Sequence, residues 1–215
     1  MSIATRRPST NRIILRNVSW ETYERLLKDL ENRSSPRLTY DRGVLEIMSP
    51  HFEHDRAKEI LGYIAVAALE ETDVDFESAA STTYKREDLE RGFEPDGSFY
   101  IRSAQLVRRK KRLDMTVDPP PDLVLEIDVS GDSMDKLPLY AAMQVQEVWR
   151  FKDRSVEIRI LEEARYVRRA KSLAIPVLDS KLISELMEAS LHVQRPAWAR
   201  HVRRRIRELL EASRA

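Results

Sequence analysis

The sequence predicts an α/β or α+β domain built around a mixed β-sheet. Three observations carry this. Arg37–Asp41 and residues 44–48 are short strand-like runs on either side of Arg42-Gly43, a hairpin in which Gly43 takes the positive-φ position. Glu147–Lys152 and residues 155–161 repeat that pattern around Asp153-Arg154. Between the hairpins lie a long helix-period segment and one strongly apolar strand-like run, residues 122–129. Helices interleaved with strands, rather than segregated from them, require a sheet covered by helices.

In chain order, residues 1–12 are basic and polar and read as a disordered arm. Ser19 is placed to cap a helix carrying Trp20, Tyr23, Leu26, Leu27 and Leu30 at helical spacing, with Pro36 beyond its end. After the first hairpin, Ser49-Pro50 ends the strand and His51 or His54 opens a helix to about Glu71. Its apolar stripe is Ala57, Ile60, Leu61, Ile64 and Ala68. Residues 74–79 and 98–102 read as strands. The linker 103–121 holds a basic run and three closing prolines, and reads as a mobile loop. A polar turn follows the 122–129 strand, then a short helix with Pro138 in its first turn, where the missing N–H costs nothing. Two helices, 179–189 and 196–213, finish the chain; the last has Trp198, Val202, Ile206, Leu209 and Leu210 on one side. The expected organisation is an arm over 1–12, a core over 13–161 and a helical extension over 162–215 packed on that core.

Composition narrows the function. The 215 residues are 42% hydrophobic and 34% charged, ordinary for a soluble globular chain. With no cysteine, disulfides, thiolate metal sites and cysteine nucleophiles are excluded. No run of about 18 apolar residues could span a membrane. The first residues have no apolar core of a secretory signal, so a cytoplasmic location is expected. Five glycines leave no glycine-rich phosphate loop, and neither a Gly-x-Ser-x-Gly elbow nor a His-Glu-x-x-His helix occurs. The net charge of +1 does not announce a polyanionic partner, but two local clusters could track phosphates: Arg108, Arg109, Lys110, Lys111, Arg112, and the arginines at 200, 203, 204, 205 and 207. Both also suit a solvated surface balanced by nearby glutamates.

The chemistry concentrates on the 122–129 strand. Leu123, Leu125, Ile127 and Val129 alternate onto one face, and Val124, Glu126 and Asp128 onto the other. In an interior strand two neighbouring carboxylates repel and are costly to desolvate unless a cation, such as a divalent metal, sits between them. In an edge strand they would simply be solvated. Asp96, in Glu94-Pro95-Asp96, is either a cleft carboxylate at a strand start or an ordinary turn residue. Lys136 either folds back over the strand end or is solvated. His54, at a helix start, is held toward neutrality by the helix dipole and is either a base or ligand, or a half-buried surface ring.

Pro95-Asp96, a long insert, then Glu126-x-Asp128 on an apolar strand resembles the core of the PD-(D/E)XK nuclease superfamily. More closely, the chain resembles the Uma-type putative restriction endonuclease family. The resembling segments are Trp20–Glu24, Asp41–Pro50 with His54, Glu94–Asp96, Pro121–Asp128, Asp135–Tyr140 and Glu147–Trp149, in the family's order over roughly residues 15–155. The resemblance implies a restriction-endonuclease-like fold, a mixed central sheet flanked by helices. It implies a metal-dependent endonuclease that hydrolyses the nucleic-acid backbone with a Mg²⁺-activated water, DNA as partner, and compatibility with a homodimer. By position, Asp96 and Glu126 match the paired metal-binding acids, His54 the histidine of the first core helix, and Lys136 the lysine after the second acid. Asp128 stands where the superfamily usually has lysine. It is expected to bind the same Mg²⁺ (or Mn²⁺) with Asp96, Glu126 and the Ile127 carbonyl, or a second ion, while Lys136 supplies the missing cation. The alternatives are a catalytically degenerate member that binds DNA or protein, and an unrelated α/β interaction domain with exposed acids.

Overall fold

A computed structural model describes residues 11–31, 33, 35–128 and 134–213. Two sheets form. The first is antiparallel, with strands β1 (Asn11–Leu15), β2 (Arg37–Asp41), β3 (Val44–Ser49), β5 (Tyr84–Arg86) and β6 (Arg91–Phe93) in the order β1-β3-β2-β6-β5; β4 (Glu77–Ser78) belongs to the second. That second sheet adds β7 (Gly97–Tyr100), β8 (Leu123–Asp128), β9 (Glu147–Lys152), β10 (Ser155–Glu162) and β11 (Arg165–Arg169), ordered β11-β10-β9-β8-β7-β4. The helices are α1 (Trp20–Asp29), α2 (Phe52–Glu71), α3 (Ala104–Val107), α4 (Leu137–Ala142), α5 (Ser180–Ala189) and α6 (Arg195–Ala212). The fold is α+β, as expected, with its mixed sheet flanked by helices. No helix among the described residues is long and apolar enough to cross a membrane.

Local chemistry accounts for most of these boundaries. The Ser19 side chain accepts from the Thr22 N–H and starts α1. The first hairpin turns with Arg42 at φ 45° and Gly43 at φ 87°, and the second with Asp153 at 47° and Arg154 at 63°. Paired positive-φ residues match the right-handed twist of the flanking strands.

The position of β8 in its sheet decides the fate of its carboxylates. It pairs antiparallel with β7 and parallel with β9, from Leu123↔Glu147 to Asp128↔Lys152, so the edge-strand alternative does not hold. A parallel pair needs a crossover, and α4 lies within it. Leu123, Leu125 and Ile127 pack with Ile60, Leu61 and Ile64 of α2, Trp149 of β9 and Trp198 of α6. Val124, on the opposite face, packs with Tyr84, Phe93, Tyr140 and Val148. Burying each such side chain contributes roughly 1.5–3 kcal/mol. A third cluster seats α1 on the first sheet through Trp20, Tyr23, Leu38, Tyr40 and Leu45. Gly92 lies against Tyr23, whose ring leaves no room for a Cβ there.

Several expectations need correction. Residues 11 and 12, assigned to the arm, are in β1, because their backbone pairs with Ser49 and Met48 of β3; residues 1–10 lie outside the described residues, as do Val129 and the polar turn at 130–133. The strand expected over 74–79 shrinks to β4, while β5, β6 and β11 were not anticipated. The segment 103–121 is no loose loop: it opens with α3, buries Val107 and Met115, and its Pro119 carbonyl accepts from the Tyr100 hydroxyl. In the C-terminal part, β11 joins the sheet before α5 and α6, which pack against α2.

Candidate active site

The C-terminal end of β8 opens into a small polar cleft. Arg12 of β1, Met48 of β3, Asp96, Glu126 and Asp128 of β8, Lys136, Tyr140 of α4 and Arg150 of β9 line it. Its cavity is about 30 Å³, enough for a water or a small ion and too small for a nucleotide.

Asp96 arrives by a close approach of backbones. Gly97 pairs with Leu125, and a Cβ on it would sit 3.2 Å from the Leu125 side chain. That proximity brings Asp96 beside Ile127, whose N–H donates to Asp96 Oδ2 at 2.7 Å. Asp96 Oδ1 accepts from Arg37 of β2, and His54 Nε2 approaches the same oxygen to 3.2 Å without hydrogen-bond alignment. Asp96 is 2% exposed, so the ordinary turn reading does not describe it. Its neighbour Glu94 is structural, accepting from the Leu38 N–H at 2.8 Å and the Thr83 hydroxyl at 2.7 Å.

His54 is buried. Desolvation, reinforced by the Arg37 guanidinium, lowers its pKa to about 4, so the ring is neutral at pH 7. Neither His54 nor Arg37 lines the cleft; both stand behind Asp96. Burial also lowers the pKa of Arg37, against the pull of Glu126 and Asp55.

Glu126 is held from α4 and its cap. Lys136 Nζ lies 3.0 Å from Glu126 Oε2, and the Tyr140 hydroxyl donates to Oε1. Lys136 is 9% exposed, so it folds over the strand end rather than into solvent. Burial, with Glu126 alongside, pushes the Tyr140 phenol well above its ordinary pKa and keeps it a donor. Asp128 Oδ2 accepts from Arg150 Nη2 at 2.5 Å and lies 3.7 Å from Lys152 Nζ.

Glu46, in the middle of β3, is a further acid that the motif reading passed over. It is 1% exposed. Its Oε2 accepts from the Met134 N–H at 3.0 Å and lies 3.1 Å from Arg12 Nε, while its Oε1 lies 3.9 Å from Lys136 Nζ. A charge between Leu45 and Ile47 in an otherwise apolar strand was the available signal. Arg37, Arg12 and Arg150 carried no comparable signal, because each is one arginine among many.

The structure thus brings Asp96, Glu126, Asp128 and Lys136 to one cleft and sets His54 behind it. Among the described residues, no three His, Cys, Asp or Glu side chains are arranged to hold a metal ion by themselves. The basic run lies elsewhere, since none of Arg108, Arg109, Lys110, Lys111 and Arg112 lines the cleft. Arg108 pairs with Asp75 and Glu77, Lys110 with Asp118 at 2.5 Å, and Arg112 with Glu31 at 3.5 Å. Within the second cluster, Arg203 and Arg207 pair with Glu70 and Glu71 and fasten α6 to α2.

A crystal structure of a putative nuclease belonging to DUF820 from Anabaena variabilis superposes with a TM-score of 0.51. It is 14% identical, and the match covers 79% of this chain and 99% of that one. At that identity the likeness shows the fold. No curated protein matches. The model of the Uma2 family, described as Putative restriction endonuclease, matches residues 20–190 and so takes in every acid of the cleft. The chain belongs to the Uma2 family.

Proposed function

We propose that the protein is a Mg²⁺- or Mn²⁺-dependent phosphodiesterase that hydrolyses the nucleic-acid backbone, with DNA as its substrate. One observation carries the reading. In a chain of this family, Asp96, just before β7, and Glu126 of the neighbouring β8 line one cleft with a lysine 3.0 Å from the second acid.

The donor set fits a hard divalent ion, since the cleft offers several carboxylates and no thiolate or imidazole at its wall. Magnesium commonly takes only one or two protein carboxylates and keeps its remaining waters. Asp96 and Glu126 would hold it. Asp128, engaged by Arg150, would add negative potential from the side or bind through water. When bound, the ion supplies a Lewis acid for a phosphate oxygen and lowers the pKa of a water.

The remaining work falls to this chain's own residues. The Ile127 N–H and Arg37 orient Asp96, and neutral His54 supports it from behind without meeting substrate. Lys136 offsets charge that develops on the phosphate. The Tyr140 hydroxyl fixes the Glu126 carboxylate. Arg109 and Lys111, exposed and without ion pairs among the described residues, contact phosphates outside the cleft.

A second reading, a degenerate nuclease fold that only binds nucleic acid, is favoured by one observation. Asp96, Glu126, Asp128 and Glu46 each already have a cationic partner: Arg37, Lys136, Arg150 and Arg12. The interaction-domain reading required exposed acids, and Asp96 and Asp128 are buried. Calorimetric titration with Mn²⁺ separates the first two. Wild-type binding that vanishes in Asp96→Ala/Glu126→Ala, together with cleavage of a mixed DNA pool, is the expected result. Intact DNA affinity with neither metal binding nor cleavage would establish the binder.

A further inference from the structure

A divalent cation on Glu126 must compete with the ammonium already there. Lys136 Nζ is 3.0 Å from Glu126 Oε2, and the Tyr140 hydroxyl holds the other oxygen. An ammonium displaced into a buried pocket without an acceptor would be strongly unfavourable. Lys136 is only 9% exposed, so it has little water to fall back on.

Glu46 offers what the displaced lysine needs. Its Oε2 is occupied by the Met134 N–H and Arg12. Its Oε1 is buried, has no hydrogen-bond partner among the described residues, and lies 3.9 Å from Lys136 Nζ. A buried carboxylate oxygen without a donor is costly unless it is used in another state of the molecule. The Lys136 side chain needs to move its tip by about 1 Å to exchange one carboxylate for the other, well within a small torsional adjustment.

We propose that Glu46 is a positioning residue that receives the Lys136 ammonium when Glu126 is neutralised or takes a cation. Lys136 thereby stays in the cleft as the charge facing the phosphate while Glu126 is released to its ligand. The purpose of the exchange rests on the metal-dependent reading above; the exchange itself does not.

The metal-free test uses Glu126→Gln, which neutralises the first acceptor without changing its shape. The coupling between Lys136→Met and Glu46→Gln is measured by urea unfolding in the wild-type and Glu126→Gln backgrounds. Expressed as a ratio of unfolding constants, it is expected to rise at least fivefold in the Glu126→Gln background. An unchanged coupling overturns the proposal. A second measurement keeps Glu46 intact and so covers a Glu46→Gln protein that fails to fold. In labelled protein, the nuclear Overhauser contact between the Lys136 ε-methylene and the Glu46 γ-methylene is expected to strengthen on Glu126→Gln. No strengthening overturns the transfer.

With metal, Glu46→Gln is expected to weaken Mn²⁺ binding at least tenfold when Lys136 is present and less than twofold in Lys136→Met. Equal weakening in both would make Glu46 a ligand in its own right and overturn the positioning role. A wild type that binds no Mn²⁺ sinks the metal-dependent reading alone, because the unfolding cycle and the contact measurement still decide the transfer.

Discussion

Two pairs of carboxylates around β8 are held in different ways. Glu147, at the start of β9, is fully buried and accepts from Trp149 Nε1 at 2.5 Å and from the Leu173 and Ala174 N–H groups at 2.7 and 2.8 Å. Asp122, just before β8, accepts from the Ile101 and Arg102 N–H groups at 2.8 and 3.0 Å. Apart from the Arg102 guanidinium and the Ser103 hydroxyl, which also reach Asp122, these donors are parts of the backbone or a packed ring and do not move. Glu126 and Glu46 each also face a flexible cation, Lys136 and Arg12, beside the Tyr140 hydroxyl and the Met134 N–H, and one Glu46 oxygen has no hydrogen-bond partner among the described residues. Fixed dipoles lock a loop in place. Mobile cations make an acid exchangeable, and exchange is what a ligand site requires.

That contrast can be broken most sharply at Lys136. Lys136→Ala should lower DNA cleavage by about 10²–10⁴-fold, the usual scale for losing a positioned catalytic group. Mn²⁺ affinity should stay level or rise, since a competing cation has gone. Single-turnover cleavage beside a Mn²⁺ titration reads both, and unchanged cleavage removes Lys136 from the chemistry.

Next in size is the pair Glu147→Gln and Glu126→Gln. The first turns an amide NH₂ toward donors that cannot rotate away and should cost about 3 kcal/mol or more of stability. The second faces a hydroxyl that can rotate and an ammonium with a second acceptor, and should cost no more than about 1 kcal/mol. Urea unfolding compares them; equal losses would erase the distinction between locked and exchangeable acids.

His54 sharpens the contrast through pH. Its folded pKa, about 4, lies below the unfolded value of 6.5, so the unfolded chain binds the proton first. The histidine contribution is intact above pH 6.5 and is lost as the pH falls toward 4, by up to about 3 kcal/mol in metal-free protein. Stability of wild type and His54→Gln measured across that window should diverge. Parallel curves would mean the ring titrates as an exposed one.

The smallest effect belongs to the surface. Arg109→Ala/Lys111→Ala should leave stability within about 0.5 kcal/mol and reduce the salt dependence of DNA binding by about two phosphate contacts. An unchanged slope in a salt series would place the DNA path elsewhere.

Much of this molecule was legible in its residues. Both hairpins, α1 with its Ser19 cap, α2, the short helix at Pro138 and the apolar β8 follow from local rules of periodicity, capping and turn chemistry. The short strands β5, β6 and β11 were not legible, because three to five residues carry too little period to stand out and owe their conformation to the strand beside them. Asp96, Glu126, Asp128 and Lys136 could be named as one group from their order in the chain. Sequence alone could not tell Glu126 from Glu147, both glutamates in apolar strands, nor show that Arg37 of β2 and Glu46 of β3 stand against Asp96 and Lys136 of the cleft. Periodicity is local and is written in neighbouring residues. Which cation faces which carboxylate depends on contacts between distant positions, such as Arg37 with Asp96, 59 apart, and only the folded sheet brings those together.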